Sequence, residues 1–242
     1  MWSICKKDLS LFFSNLSGFI SVAIFLLITG LVLFVFPDSS ILNAGYADLS
    51  PFFQLAPWVL LFLVPAISMR SLSDEYKSGT FETLSTRPLT PLQIVLGKYL
   101  FILFAILIVL IPTIIYVLTI KQLSVNGQID IGGIVGSYLG LFFLGAVYGS
   151  ICLCCSAFTN NAVVAFLLGV FICLSIYFGF HAISTIPLFK GNLDYYIDFI
   201  GIDAHYQSIS RGVVDTRDLF YFLSMIGISL LITLKKLEQK TA

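Results

Sequence analysis

The stretch KYLFILFAILIVLIPTIIYVLTI, Lys98–Ile120, decides the fold. It is 23 residues long and carries no charge after Lys98. A helix rising about 1.5 Å per residue needs about 20 such residues to cross a hydrocarbon core of about 30 Å. No water in that core can satisfy backbone N–H and C=O groups, so the segment must bond to itself as a helix. A β-barrel strand would show about ten residues of alternating polarity, and this run is continuously apolar.

Five more runs of this kind lie on either side, at Leu16–Phe36, Phe52–Met69, Ile131–Cys155, Ala162–Ile186 and Leu219–Leu234. The first is longer than the apolar core of a secretory signal, and no A-x-A-like site follows it, so it too is read as a span. The expectation is an all-α membrane domain of six transmembrane helices covering residues 1–242. Composition agrees. Of 242 residues 58% are hydrophobic and 11% charged, against roughly 25% charged in soluble domains. Thirteen Lys and Arg balance thirteen Asp and Glu, so no basic footprint points to nucleic acid. Five Cys are too few for a disulfide scaffold. Cys152, Cys154 and Cys155 are read as packing residues in preference to a soft-metal site.

Positive charge orients the spans. Lys6, Lys7, Arg70, Lys77, Arg87, Lys98, Lys235, Lys236 and Lys240 fall on one side, and Lys121, Lys190, Arg211 and Arg217 on the other. Nine against four places both termini and the connection between spans 2 and 3 in the cytoplasm. Residues 1–18 mix Leu9, Phe12, Phe13 and Leu16 with Lys6, Lys7 and Asp8. That pattern suits an amphipathic helix lying along the inner interface. In span 4, Gly132, Gly136 and Gly140, then Gly145 and Gly149, offer small residues at helical spacing. Helix backbones can approach there, within one subunit or between two.

The segment from Arg70 to Lys98 reads as helix, break, helix. Ser73 suits a helix N-cap, with Asp74 and Glu75 in the first turn, where the dipole favours anions. Gly79 ends that turn, and Arg87-Pro88 stops a second short piece carrying Phe81 and Leu84. Thr90-Pro91-Leu92-Gln93 is a start signal, with Thr90 as N-cap, Pro91 at N1 and Gln93 closing a capping box. Glu75, Lys77, Glu82 and Arg87 are expected to be exposed, and their mixed charge suits a polar protein contact.

At this segment the chain resembles the membrane subunit of an ABC-2 type ABC transporter. The matching residues are Glu75, Gly79-Thr80-Phe81-Glu82, Leu84, Pro88 and Gly97-Lys98. The Lys-Lys-Asp-Leu opening and the Gly-Thr-Phe-Glu-Thr-Leu stretch are most similar to the permease of bacterial gliding motility. The resemblance implies a second permease copy or a related membrane subunit, and an ABC ATPase bound at the cytoplasmic face of an inner membrane. It makes Asp74, Glu75, Lys77, Gly79, Thr80, Phe81, Glu82 and Leu84 the ATPase-coupling residues, and the N-terminal helix an elbow. It also implies that residues 187–218 dip back toward the membrane. LDYYIDFI (Leu193–Ile200) and HYQSISRG (His205–Gly212) fit that picture.

The chain itself has no G-x-x-x-x-G-K-[ST] loop, since Tyr99 follows Gly97-Lys98. No cofactor is therefore expected on this chain, and ATP and Mg would act through the partner. No ionisable residue lies at mid-membrane to drive a coupled carrier. The rivals are an ATPase-independent channel or carrier, a membrane anchor, and an intramembrane enzyme. For the enzyme, only His181 and His205 are available, beside Asp194 or Asp203. A catalytic role for such scattered residues is disfavoured.

Overall fold

The computed structural model describes residues 1–36, 48–80, 90–124, 130–187, 191, 194–212 and 215–241. Among the described residues the regular elements are all helices, joined by short turns, without a strand. Five helices are long and apolar enough to cross a membrane, at Ser50–Lys77, Pro91–Leu123, Ile131–Phe158, Ala162–Ser184 and Thr216–Lys240. The count reaches six if the first two helices, bent by 70°, form one span.

Those first helices are α1, Trp2–Ser14, and α2, Leu16–Phe34. They part at Asn15, whose backbone is extended. A Cβ at Gly18 would collide with the Phe12 carbonyl oxygen, so the bend requires glycine there. Helix α3, Ser50–Ser68, holds Pro57 and Pro65, and a loose turn joins it to α4, Ser73–Lys77.

Helix α5, Pro91–Leu110, starts where the sequence predicts. The Thr90 hydroxyl accepts from the Gln93 backbone N–H, and the Gln93 side-chain oxygen accepts from the Thr90 backbone N–H, both at 3.3 Å. Pro112 has no N–H to give, and the helix tightens over Ile111–Thr113 into a 3₁₀ turn before α6, Ile114–Leu123.

Helix α7, Ile131–Phe158, is the axis of the molecule. It packs against α3 and α5, and against three elements that follow it in the chain. These are α8, Ala162–Leu174, the short helix α11, Ile202–Ser210, and α12, Thr216–Thr241. Its most apolar window is 78% buried, against 22% for the spans built on α8 and α12. The span begun by α8 passes through a π-helical turn, Ser175–Gly179, into α9, Phe180–Ser184. Helix α10, Asp194–Ile200, then leads into α11.

The glycines of α7 admit neighbours of this same chain. A Cβ at Gly136 would lie 2.7 Å from the Ile209 carbonyl oxygen, and one at Gly140 would lie 3.3 Å from the Tyr206 ring. Gly145 faces Ile106, and Gly149 faces Ile102 and Val64. Gly132 is different, because within 4 Å a Cβ there would meet only the carboxylate of Asp130, which caps its own helix.

Candidate functional site

The chain concentrates its charge where α1, α4 and the start of α5 meet. Lys98 is the centre of this cluster, with a side chain only 1% exposed. Its Nζ lies 2.9 Å from Glu75 Oε1 and 3.5 Å from Asp8 Oδ2, and it donates to the Ser71 carbonyl. Lys7 adds a second cation 3.2 Å from the same Glu75 oxygen. Glu75 Oε2 is buried without a hydrogen-bond partner among the described residues. A lone buried ammonium would be prohibitive, and two carboxylates and a carbonyl make it tolerable.

The neighbouring glycine explains the Gly97-Lys98 pair. A Cβ at Gly97 would lie 2.9 Å from the Met1 carbonyl oxygen and 3.1 Å from Ile4 Cβ. Gly97 therefore lets α1 lie directly on α5, and Lys98 fixes it there through Asp8.

Ser156, at the end of α7, completes the site. Its Oγ accepts from the amides of Leu72 and Ser73, each at 3.0 Å, and donates to the Met69 carbonyl at 3.1 Å. Those amides are unpaired donors at the start of α4. Ser73 does not cap α4; its hydroxyl bonds back to Met69 O from inside the helix. At the same end, Lys240 of α12 sits 3.3 Å above the Tyr76 ring and Lys236 lies 5.3 Å from the Phe158 ring centre. Both chain ends thus meet this one end of the bundle.

The residues named from the sequence divide into two groups. Asp74, Lys77, Gly79 and Thr80 are exposed on α4 and the turn after it. Gly79 has φ +70°, which favours glycine and ends the helix. Glu75, expected to be exposed, points inward with only 14% of its side chain accessible. The reason is spacing: it lies one residue round the helix from Asp74, which faces Arg70 at 3.9 Å. Phe81, Glu82, Leu84, Arg87 and Pro88 lie outside the described residues.

The sequence reading missed Lys7, Asp8, Lys98 and Ser156 as parts of this site. For Lys98 the signals were its place at the head of an apolar run and in the Gly97-Lys98 match, and neither names its partners. Ser156 opens a short polar turn, Ser156–Asn161, after the apolar run of span 4, but that signal does not say what its hydroxyl bonds.

The opposite end of the bundle is built differently. Helix α11 packs on α7 through Tyr206 and Ile209, and the Tyr206 hydroxyl donates to Phe53 O at 2.7 Å. His205, 2% exposed, bonds Asp218 through Nδ1 at 2.7 Å and the Phe199 carbonyl through Nε2 at 2.9 Å. Tyr221 stacks on the imidazole with centroids 4.0 Å apart. His181 pairs with Asp198 at 2.9 Å. The histidines therefore pair with Asp218 and Asp198, whereas the sequence pointed to Asp194 or Asp203.

The cysteines have reduced thiols. Cys152 and Cys173 approach to 3.9 Å between sulfurs. Among the described residues no group of three His, Cys, Asp or Glu is placed to hold a metal ion.

A family model described as ABC-2 family transporter protein matches residues 37–202, more than two thirds of the chain. The chain belongs to the ABC-2 transporter family. As an ABC-2 protein with several apolar helices it is a multi-pass membrane component of a transporter and not itself a catalyst. The match includes α4, Gly97-Lys98 and the first residue of α11. No curated protein matches the chain.

Proposed function

We propose that this ABC-2 chain is a permease subunit whose α4 region receives force from a separate ABC ATPase. ABC-2 permeases generally work with such a partner. The single observation that carries the reading is the charge cluster. It ties α4 to the head of α5 and to α1 by buried ion pairs, so a push on the exposed Asp74–Lys77 face must move all three together. A loosely hung loop would dissipate that push. In this reading α1 is the elbow helix, α2 completes a sixth span, and both termini are cytoplasmic, as the nine-to-four charge asymmetry favours. Helices α10 and α11 dip back from the outer surface. Two copies, or this chain and a related one, pair, and the inner membrane is the setting. ATP and Mg act in the partner, whose closure favours one of two permease conformations. The resemblance to gliding-motility permeases makes a gliding or secretion machine the setting to test first.

The exposed charges provide the test. The variants D74K and K77E reverse charge without touching the Lys98 cluster. They should abolish co-purification of the ATPase and its stimulation while leaving the yield of folded permease unchanged. Unchanged assembly together with unchanged stimulated hydrolysis would refute the coupling role.

A further inference from the structure

At the end of the bundle opposite Lys98, α3, α11 and the π-helical turn line an open cavity of about 440 Å³. We propose that this cavity binds a neutral, hydroxyl-bearing ring, the chemistry of a sugar head group. The proposal deepens the permease reading and rests on it for the role of that ligand as cargo.

The walls are of two kinds. One is aromatic. Trp58 is 39% exposed and is held by Tyr177, with centroids 5.5 Å apart at 81°, and by Phe178 at 6.0 Å. Tyr177 and Phe178 come from the π-helical turn, and such insertions are common at functional sites. The other wall is polar and comes largely from α11. Asp203 accepts from Gln207 Nε2 at 2.7 Å and lies beside Tyr177, while burial raises its carboxyl above the usual range. Arg211, one turn beyond Gln207, has no described carboxylate within 4 Å. Gln54 faces the same space from α3 and has no hydrogen-bond partner among the described residues.

This set selects against the alternatives. An anion would gain Arg211 but also meet Asp203, and the His181 that shares the lining already faces Asp198 at 2.9 Å. A wholly apolar ligand would strip water from Asp203, Gln54 and Arg211 and return nothing. A hydroxyl both donates and accepts, so a ring of hydroxyls can serve a carboxylate, a guanidinium and two amides at once. The apolar face of such a ring suits Trp58. The volume falls within the range of small-molecule sites.

Trp2 and Trp58 are the two tryptophans, so W2F makes Trp58 the sole indole reporter. The full-length W2F chain, one copy per phosphatidylcholine nanodisc, is titrated with glucosyl-diacylglycerol, with phosphatidylglycerol, and with maltose in solution. The expected result is a saturable change in Trp58 emission with the glucosyl probe, weakened about tenfold or more by D203N and by Q54A. A response to maltose as well assigns a free sugar, and a response to the glycolipid alone assigns a lipid-borne head group. Either supports the shared chemistry. A response to phosphatidylglycerol alone, no response to either sugar, or a response untouched by both variants overturns the proposal. Failure here leaves ATPase co-purification by the wild-type chain as it was, so the two readings fall separately.

Discussion

The two ends of the bundle use charge in different ways. Around Lys98, four side chains from three elements are drawn into one closed knot, and the result is a rigid junction of α1, α4 and α5. Around Asp203 and Arg211 the opposite charges line open space, with an aromatic plate beside them. A charge that meets its partners inside the chain builds structure. A charge left facing a cavity is available to something else. The comparison teaches that the same residue types mark a mechanical part at one end and a receptive one at the other.

The largest effect should come from breaking the knot. K98M removes the ammonium and leaves Glu75 and Asp8 in a largely buried place. Uncompensated buried charge costs about 3–5 kcal/mol, and Lys7 beside Glu75 holds the loss near the lower figure. Thermal unfolding in nanodiscs would measure it. Site-resolved alkylation should also show Cys5, only 1% exposed, reacting far faster as α1 lifts from α5. A second break, at the other end, is H205F. It leaves the buried Asp218 without its donor, a loss of about 1.5–3 kcal/mol, yet Cys5 should alkylate at the wild-type rate. If H205F freed Cys5, the two ends would be one coupled network and the contrast between them would fail.

The glycines of α7 sharpen the contrast further. Alanine adds helix propensity at either position, but at Gly136 its methyl would press on the backbone of Ile209 and Gly212. G136A should therefore destabilise by about 1–3 kcal/mol, and G132A should be neutral or stabilising, a difference in sign readable by thermal unfolding. The smallest expected change is T90A, which removes a side-chain cap worth about 1 kcal/mol. It should fray the start of α5 in amide exchange while Cys5 stays protected.

What could be read from the sequence followed the range of the interactions. The start of α5 at Thr90-Pro91 was legible because a capping box is complete within four residues. The long spans were legible because lipid imposes helix on any apolar run of that length. The apolar run at the front gave α2, but the 70° bend between α1 and α2 sets it apart from the other five spans. The site itself was half visible. Gly79 and the charges of α4 stood out, but Glu75 was misjudged as exposed, because its partners Lys7 and Lys98 lie 68 and 23 positions away. Ser156 acts through backbone amides that come together only once α7 and α3 are packed. Helix α11 settles on Gly136 and Gly140 for the same reason: a glycine step announces room for a neighbour but does not say which neighbour arrives.

The seat of α1 has a consequence for biogenesis. The groove that receives the first helix is made of Gly97, Lys98 and Glu75, all synthesised long after it. Helix α1 must therefore wait, undocked, until synthesis has passed Lys98. Nascent chains arrested before Lys98 should modify at Cys5 as freely as an unstructured peptide, and chains arrested well beyond α5 should not.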